Sequence, residues 1–436
     1  MHLTTRGLLL LLVTAPILAL ATWLPLLVWL ALAYFVLVLL VLGLDYYQAQ
    51  PVSRFEVTRS HDNRLSLGAE NLIQVVVRNR AFRTAVFWVR DEPPEAFEIG
   101  QRILTGAALP RQTWTGSYHV RPRRRGDYEF GDTTLRWLGP LGLVVRQGKV
   151  KTAVSVKVYP NLIDVRRYDL MLRRNRLQEL GLRSARQFGE GTEFERLREY
   201  TPDDEYRRIN WKATARRHRP ITVEYQTERS QNVIAVLDCG RMMQSPVQQM
   251  AKLDYAVNAV LLLSYVASGK GDKVGMMSFA ADVDRFLAPK QGRGQFYRML
   301  EMLYAVDAQP VEPDYGRALT YLAHKQRKRA LILIFTDISG GAGLSNLIES
   351  VTPLAKRSLP LVVTISDPDI VAASHQIPGD SAAVYQRAAA AQLLDERQLT
   401  LEQLSRRGVL TLDVPANQLS LAVINRYLAL KARSQL

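Results

Sequence analysis

Cysteine is nearly missing from this chain. Cys239 is the only one, so no intramolecular disulfide can form, which suits a reducing compartment. Histidine is scarce as well: His2, His61, His119, His218, His324 and His375 lie far apart, and none stands at metal-ligand spacing. No stretch meets the spacing of a nucleotide P-loop. The Gly-Lys-Gly-Asp-Lys run at 269–273 lacks the spacing and the hydroxyl, and reads as a helix-to-strand turn. There is no G-x-S-x-G elbow, and Cys239 has no histidine near it in sequence, so it reads as a small buried hydrophobe. No internal repeat stands out. These absences leave no catalytic set, and an enzyme is not indicated.

What the chain does have is length and positive charge. Its 436 residues suffice for two or three domains with real cores. With 57 Lys and Arg against 41 Asp and Glu, the net charge of +16 suits an anionic membrane surface, an acidic partner or nucleic acid, and does not choose among them.

Residues 7–44 contain no charge at all, a run long enough for two short membrane spans at roughly 20 residues each. The expectation is a transmembrane helical hairpin within residues 1–50, with arms at about 7–22 and 26–44 and its turn at Thr22-Trp23-Leu24-Pro25. Arg6 precedes the run, and Arg54, Arg59 and Arg64 follow it. The positive-inside tendency then places both ends in the cytoplasm, making a multi-pass membrane protein with its soluble domains facing the cytoplasm. Two alternatives stand beside it: a signal peptide ending at Ala19-Leu20-Ala21, and one long tilted span with an exported body.

Residues 51–160 alternate as short strands, for example Ile73, Val75 and Val77, and predict a small all-β, sandwich-like domain. Within it, Arg121-Pro122-Arg123-Arg124-Arg125 reads either as a basic knot facing lipid phosphates or as a solvated hairpin tip. Residues 161–230 form an arginine-rich connector followed by a dense charged and aromatic stretch. From 231 to 436, strands such as 233–238, 273–279, 331–337, 361–367 and 409–414 alternate with helices, which predicts an α/β domain with a mostly parallel, Rossmann-like sheet. Asp238, Asp337 and Asp367 fall at strand ends, where ligands bind in such sheets. Converging carboxylates there suit a hard divalent cation, while strand-end aspartates also cap helices. Asp203 and Asp204, set among Arg196, Arg198, Arg207 and Arg208, read as ion-pair partners rather than an acid/base couple. The acidic residues interleaved from Glu190 to Glu205 would repel phosphates, so no nucleic acid is expected.

The run Gly191-Thr-Glu193-Phe194, Leu197-Arg198-Glu199-Tyr200, Pro202-Asp-Asp204, Arg207-Arg208-Ile209 and Trp211-Lys212-Ala-Thr-Ala-Arg216 resembles the hallmark of the bacterial domain-of-unknown-function 58 family. The Gly139-Pro-Leu-Gly-Leu143 turn is similar to one that often precedes that hallmark. The resemblance implies a helical hairpin, a β domain and a von Willebrand factor A-like domain. It also implies a membrane-anchored, non-enzymatic adaptor working with a separate MoxR-type AAA+ ATPase in chaperone-like or envelope-related processes. Glu193, Arg198, Tyr200, Asp204, Arg208, Trp211, Lys212 and Arg216 would then serve the partner or lock the domains together, with Trp211 as a buried pin in the preferred version. Domains of this type often hold a metal through Asp-x-Ser-x-Ser, but here the segment is Asp238-Cys-Gly240-Arg-Met242, which lacks both hydroxyls. Asp238, Asp337 and Asp314 are what remains of a magnesium-type site, and a metal-free domain is expected. The rival readings are a metal-dependent hydrolase on those aspartates and a membrane-tethered nucleic-acid binder.

Overall fold

The computed structural model describes residues 2–24, 26–179, 193–202, 204, 206, 209–226, 230–338 and 344–433. The chain divides into two compact units, Met1–Tyr159 and Pro160–Leu436.

The first unit opens with the apolar segment. One helix, Leu26–Gln48, is long and apolar enough to cross a membrane, at 23 residues or about 35 Å against the roughly 30 Å of a hydrocarbon core. The preceding arm breaks at Val13 into Thr5–Leu12 and Thr14–Leu20. Pro16 accounts for the break, because it cannot donate to the carbonyl of Leu12. Together these helices cover about 24 Å, short of a full crossing. The expectation of two spanning arms is therefore corrected to one spanning helix among the described residues, with a shorter helical arm against it through the Tyr34 hydroxyl, which donates to Leu10 O at 3.0 Å.

The strands behind it alternate as their sequence demands. In Asn71–Asn79 every second residue is buried. A four-stranded antiparallel sheet runs in the order Phe55–His61, Asn71–Asn79, Thr113–Pro122, Phe97–Ile99. A five-stranded one runs His2–Leu3, Val144–Val150, Thr133–Leu138, Ala85–Arg90, Ile103–Ala108. Phe55 of the first sheet meets Phe87 and Trp137 of the second, with ring centroids 6.3 and 5.1 Å apart. A third sheet joins Arg64–Ser66, Val154–Tyr159 and Gly126–Phe130. The buried Arg59 guanidinium pairs with Asp91, whose carboxylate also accepts from the hydroxyls of Tyr118 (2.6 Å) and Thr133 (3.0 Å).

Asp45, the first charge after the apolar run, is 1% exposed. Its carboxylate accepts the amides of Leu141 (2.7 Å), Leu143 (2.9 Å) and Val144 (2.9 Å), so the end of the long helix is clamped onto the Gly139–Leu143 turn. A Cβ on Gly139 would stand 2.5 Å from that carboxylate, which is why the turn opens with glycine. The short arm is tied to the same turn: the Thr4 amide and hydroxyl both donate to Leu143 O at 3.0 Å, and His2–Leu3 pairs with Val144–Val145.

The second unit contains a six-stranded sheet in the order Val283–Lys290, Lys273–Phe279, Asn232–Asp238, Leu331–Phe335, Leu359–Ser366, Leu410–Pro415. All neighbours are parallel except the first pair. The edge strand Val283–Lys290 and the helix Pro368–His375 are absent from the sequence-based reading. Both have mixed exposure, so neither shows a clean apolar period. The helix Lys252–Gly269 is buried over most of its length, as its nearly continuous apolar sequence requires.

Candidate functional site

The strand order of the second unit reverses between Asn232–Asp238 and Leu331–Phe335, the switch point where open α/β sheets bind ligands. Asp238 and Asp337 lie there, 1% and 6% exposed. The Asp238 carboxylate accepts from the Thr336 hydroxyl (2.6 Å), the Tyr315 hydroxyl (2.9 Å) and the Gly240 amide (2.7 Å). Burial nevertheless pushes its pKa up, with the charge of Asp337 adding to the rise and these hydrogen bonds opposing it. Burial likewise raises the Tyr315 hydroxyl, with the Asp238 charge next in effect.

Asp337 is held by cations of the chain itself. Lys252 Nζ donates to one carboxylate oxygen at 2.6 Å and Arg397 Nη1 to the other at 3.2 Å. The Lys252 side chain is 5% exposed and that of Asp337 0%. A tight hairpin delivers the lysine. Pro246–Val247 pairs with Met250–Ala251 through Gln248 at φ 55°, and the Lys252 amide then donates to Ser245 O at 3.0 Å. Arg397, on the helix Ser381–Arg406, also grips Asp413, which accepts from the Thr364 hydroxyl at 2.8 Å.

These residues do not fit a divalent cation. Both oxygens of Asp238 and both of Asp337 already accept hydrogen bonds, and the lysine ammonium supplies the positive charge a metal would bring. Gly240, where a hydroxyl ligand would stand, is covered by the loop that leads into the helix Tyr315–Lys325: a Cβ there would lie 2.7 Å from Pro313 Cδ. Asp314 is exposed and turned to another task, its carboxylate accepting the Arg317 amide at 2.9 Å to cap the helix Tyr315–Lys325. Asp367 caps Pro368–His375 in the same way. Among the described residues no cluster of three potential ligands occurs. Tyr315, Thr336, Lys252 and Arg397 were not singled out from sequence, since each meets its partner only through tertiary folding.

The charged stretch folds into a second candidate surface. Glu193–Glu199 pairs antiparallel with Ile221–Gln226, placing Glu193 opposite Gln226. Between them the short helix Trp211–Arg217 is capped by Asn210, whose side chain accepts the Ala213 amide at 3.0 Å. That is the same role an aspartate would fill. The Arg198 guanidinium grips Asp204 with two hydrogen bonds, 2.9 and 2.5 Å, and Asp204 also accepts the Thr201 amide and hydroxyl. The Thr201 amide, with Arg198 and the Thr201 hydroxyl assisting, holds the Asp204 carboxyl below its ordinary range. Tyr200 is half-buried, its amide donating to Pro220 O, while Lys212 and Arg216 are exposed. Arg208 lies outside the described residues, as do the hallmark positions Gly191, Thr192, Asp203 and Arg207.

Trp211 is not the buried pin expected of it. It is 58% exposed and meets the equally open Tyr206 edge-to-face, with ring centroids 5.6 Å apart. It lies in the first turn of a two-turn helix, next to the exposed Lys212.

Residues 196–386 match the family model described as "Protein of unknown function DUF58". An uncharacterised protein of Mycobacterium tuberculosis, Rv1480, is 25% identical over 182 residues, which cover 41% of this chain and 56% of that one. The uncharacterised YeaD of Bacillus subtilis is 24% identical over 274 residues, 60% of this chain and 65% of its own length. The chain thus spans 56% and 65% of the length of these two curated relatives. Among solved structures, the conserved hypothetical protein BatB of Bacteroides thetaiotaomicron aligns with 46% of this chain and 99% of its own, at 18% identity and a TM-score of 0.32.

Proposed function

We propose that this protein is a membrane-anchored, non-enzymatic adaptor whose α/β domain is of the von Willebrand factor A-like type and which works with a MoxR-type AAA+ ATPase. The anchor is the helix Leu26–Gln48, and the bacterial inner membrane is its site. The sheet order, with Asp238 and Asp337 at the switch point, supports the domain type. Internal cations on Asp337 support a role without metal chemistry, and so weigh against the hydrolase reading.

One observation carries the adaptor reading: the exposed Trp211 and Tyr206 pair, set in the hallmark beside cationic Lys212 and Arg216. An exposed aromatic pair beside cationic side chains has the composition of an interface hot spot. The test is capture from detergent-solubilised native membranes with the full chain and with Trp211→Ala. The intact chain should enrich an AAA+ ATPase, and Trp211→Ala should lose it while its own stability changes by no more than about 0.5 kcal/mol. If no AAA+ protein is enriched by the intact chain, the reading fails.

A further inference from the structure

We propose that the end of the β domain around the helix exit is itself a lipid-binding surface, resting on an anionic bilayer through the loops at 79–85 and 108–113. The inference deepens the anchor reading and rests on it.

Strand register decides which end of the domain lies next to the apolar helix. Arg83 donates to the Gln48 side chain (3.1 Å), and the Gln50 side chain donates to Arg83 O (3.2 Å). The 79–85 loop is therefore packed on the residues where the long helix ends. Asn79 bonds Ala108 O (3.1 Å) and Leu109 O (3.4 Å), bringing the second loop to the same place. Arg78 is paired with Thr113 and Phe55 with Asn79, so one whole end of the four-stranded sheet is gathered at the exit.

The basic knot Arg121–Arg125 lies at the opposite end. Val120 pairs with Asn71, at the far end of the strand Asn71–Asn79, which puts the knot roughly 25 Å along the sheet from Thr113. Arg121 and Arg123 there reach Glu70 (3.5 Å) and Glu98 (3.6 Å). That distance and those acidic partners favour the solvated-tip reading of the knot.

The exit end has the composition the knot lacks. Phe82 is 74% exposed and Leu109 53%, and Leu141 of the clamped turn is also open. The Arg111 guanidinium lies 4.9 Å from the Phe82 ring centroid, so an apolar tip and a cation are presented together. Across residues 45–56, 78–85, 108–113 and 138–145 the arginines are Arg54, Arg78, Arg80, Arg83 and Arg111; Arg80 and Arg78 reach Glu56 (2.7 and 3.9 Å), and the other acidic residue, Asp45, is buried, so five arginines face one accessible carboxylate. Exposed apolar tips ringed by an excess of arginine over carboxylate, continuous with a helix that ends at the same level, match the headgroup layer of an anionic leaflet.

The test uses the full chain in a Cys239→Ala background, reconstituted into phosphatidylcholine vesicles with or without about one-third phosphatidylglycerol. An environment-sensitive fluorophore is placed at Phe82→Cys, Leu109→Cys, the far-end Arg124→Cys, or Leu37→Cys on the long helix. Nitroxide lipids serve as quenchers. Positions 82 and 109 should be quenched at least about twofold by a headgroup-level nitroxide, more strongly with phosphatidylglycerol, and 124 should not. Quenching at 37 alone would overturn the surface while leaving the anchor intact. Quenching at 82 and 109 that ignores phosphatidylglycerol would overturn the anionic lipid as its partner. No quenching at 37 would remove the anchor reading and this inference with it.

Discussion

Replacing Lys252 by methionine keeps the length and packing of the side chain but deletes the ammonium that sits 2.6 Å from Asp337. Both side chains are almost fully enclosed, so neither gains water when its partner is lost. Removing one partner of such a pair costs about 3–5 kcal/mol, because a carboxylate is left buried without compensation. Arg397 still reaches the other oxygen of Asp337, which places the expectation at the lower end, about 3 kcal/mol. Hydrogen exchange of the full chain reads this locally, since Leu331–Phe335 runs into Asp337 and is wholly buried. At about 1.4 kcal/mol per decade, its amides should exchange roughly a hundredfold faster in Lys252→Met. Asp337→Asn should also be destabilising, and the double variant Lys252→Met with Asp337→Asn should cost less than the two singles summed, by more than about 1 kcal/mol. Additive losses, or an unchanged exchange rate in Lys252→Met, would refute the claim that this lysine supplies the charge at the switch point.

Three further outcomes follow. Magnesium should leave the thermal unfolding of the parent protein unshifted, because the carboxylate oxygens of Asp238 and Asp337 are already engaged; a stabilisation that Asp238→Ala abolishes would contradict this. Asp238 has its folded pKa raised by burial, so its contribution to stability is complete below the ordinary carboxylate value of about 3.9 and is lost as pH rises through the raised value. Asp238→Asn cannot ionise and should lose less stability than the parent from about pH 4 upward in urea titrations, and parallel curves would count against the assignment. Asp45→Ala strands three amides at the helix–turn clamp, at about 1–3 kcal/mol each, and should raise exchange at Leu141, Leu143 and Val144, with Asp45→Asn intermediate.

The sheet core was legible because its strands are short continuous apolar runs, and Val233–Asp238 ends in the residue that closes the strand. Asp238 and Asp337 could be placed at one edge by alternation alone. What joins them could not. Lys252 is 85 residues from Asp337 and stands at the head of an apolar helix, where a lysine ordinarily marks a solvated end. Arg397 sits in an alanine-rich helix whose period shows no reason for that arginine to be enclosed. Trp211 misled in the other direction. A tryptophan among charges suits a buried anchor by its area, but the Asn210 cap fixes the helix start and leaves the ring outside. In sequence Asp45 is only the first charge after the apolar run, while its three amide partners lie almost a hundred residues downstream.

That clamp has a mechanical consequence. Below Asp45, the Trp137 indole donates to Gln50 O at 3.0 Å and Arg146 to Ala49 O at 2.7 Å, so the chain leaves the long helix without a free residue in which to swivel. A torque on the helix reaches the five-stranded sheet through these bonds rather than being dissipated in a tether. Helix and sheet turn together, as a key turns with its bow.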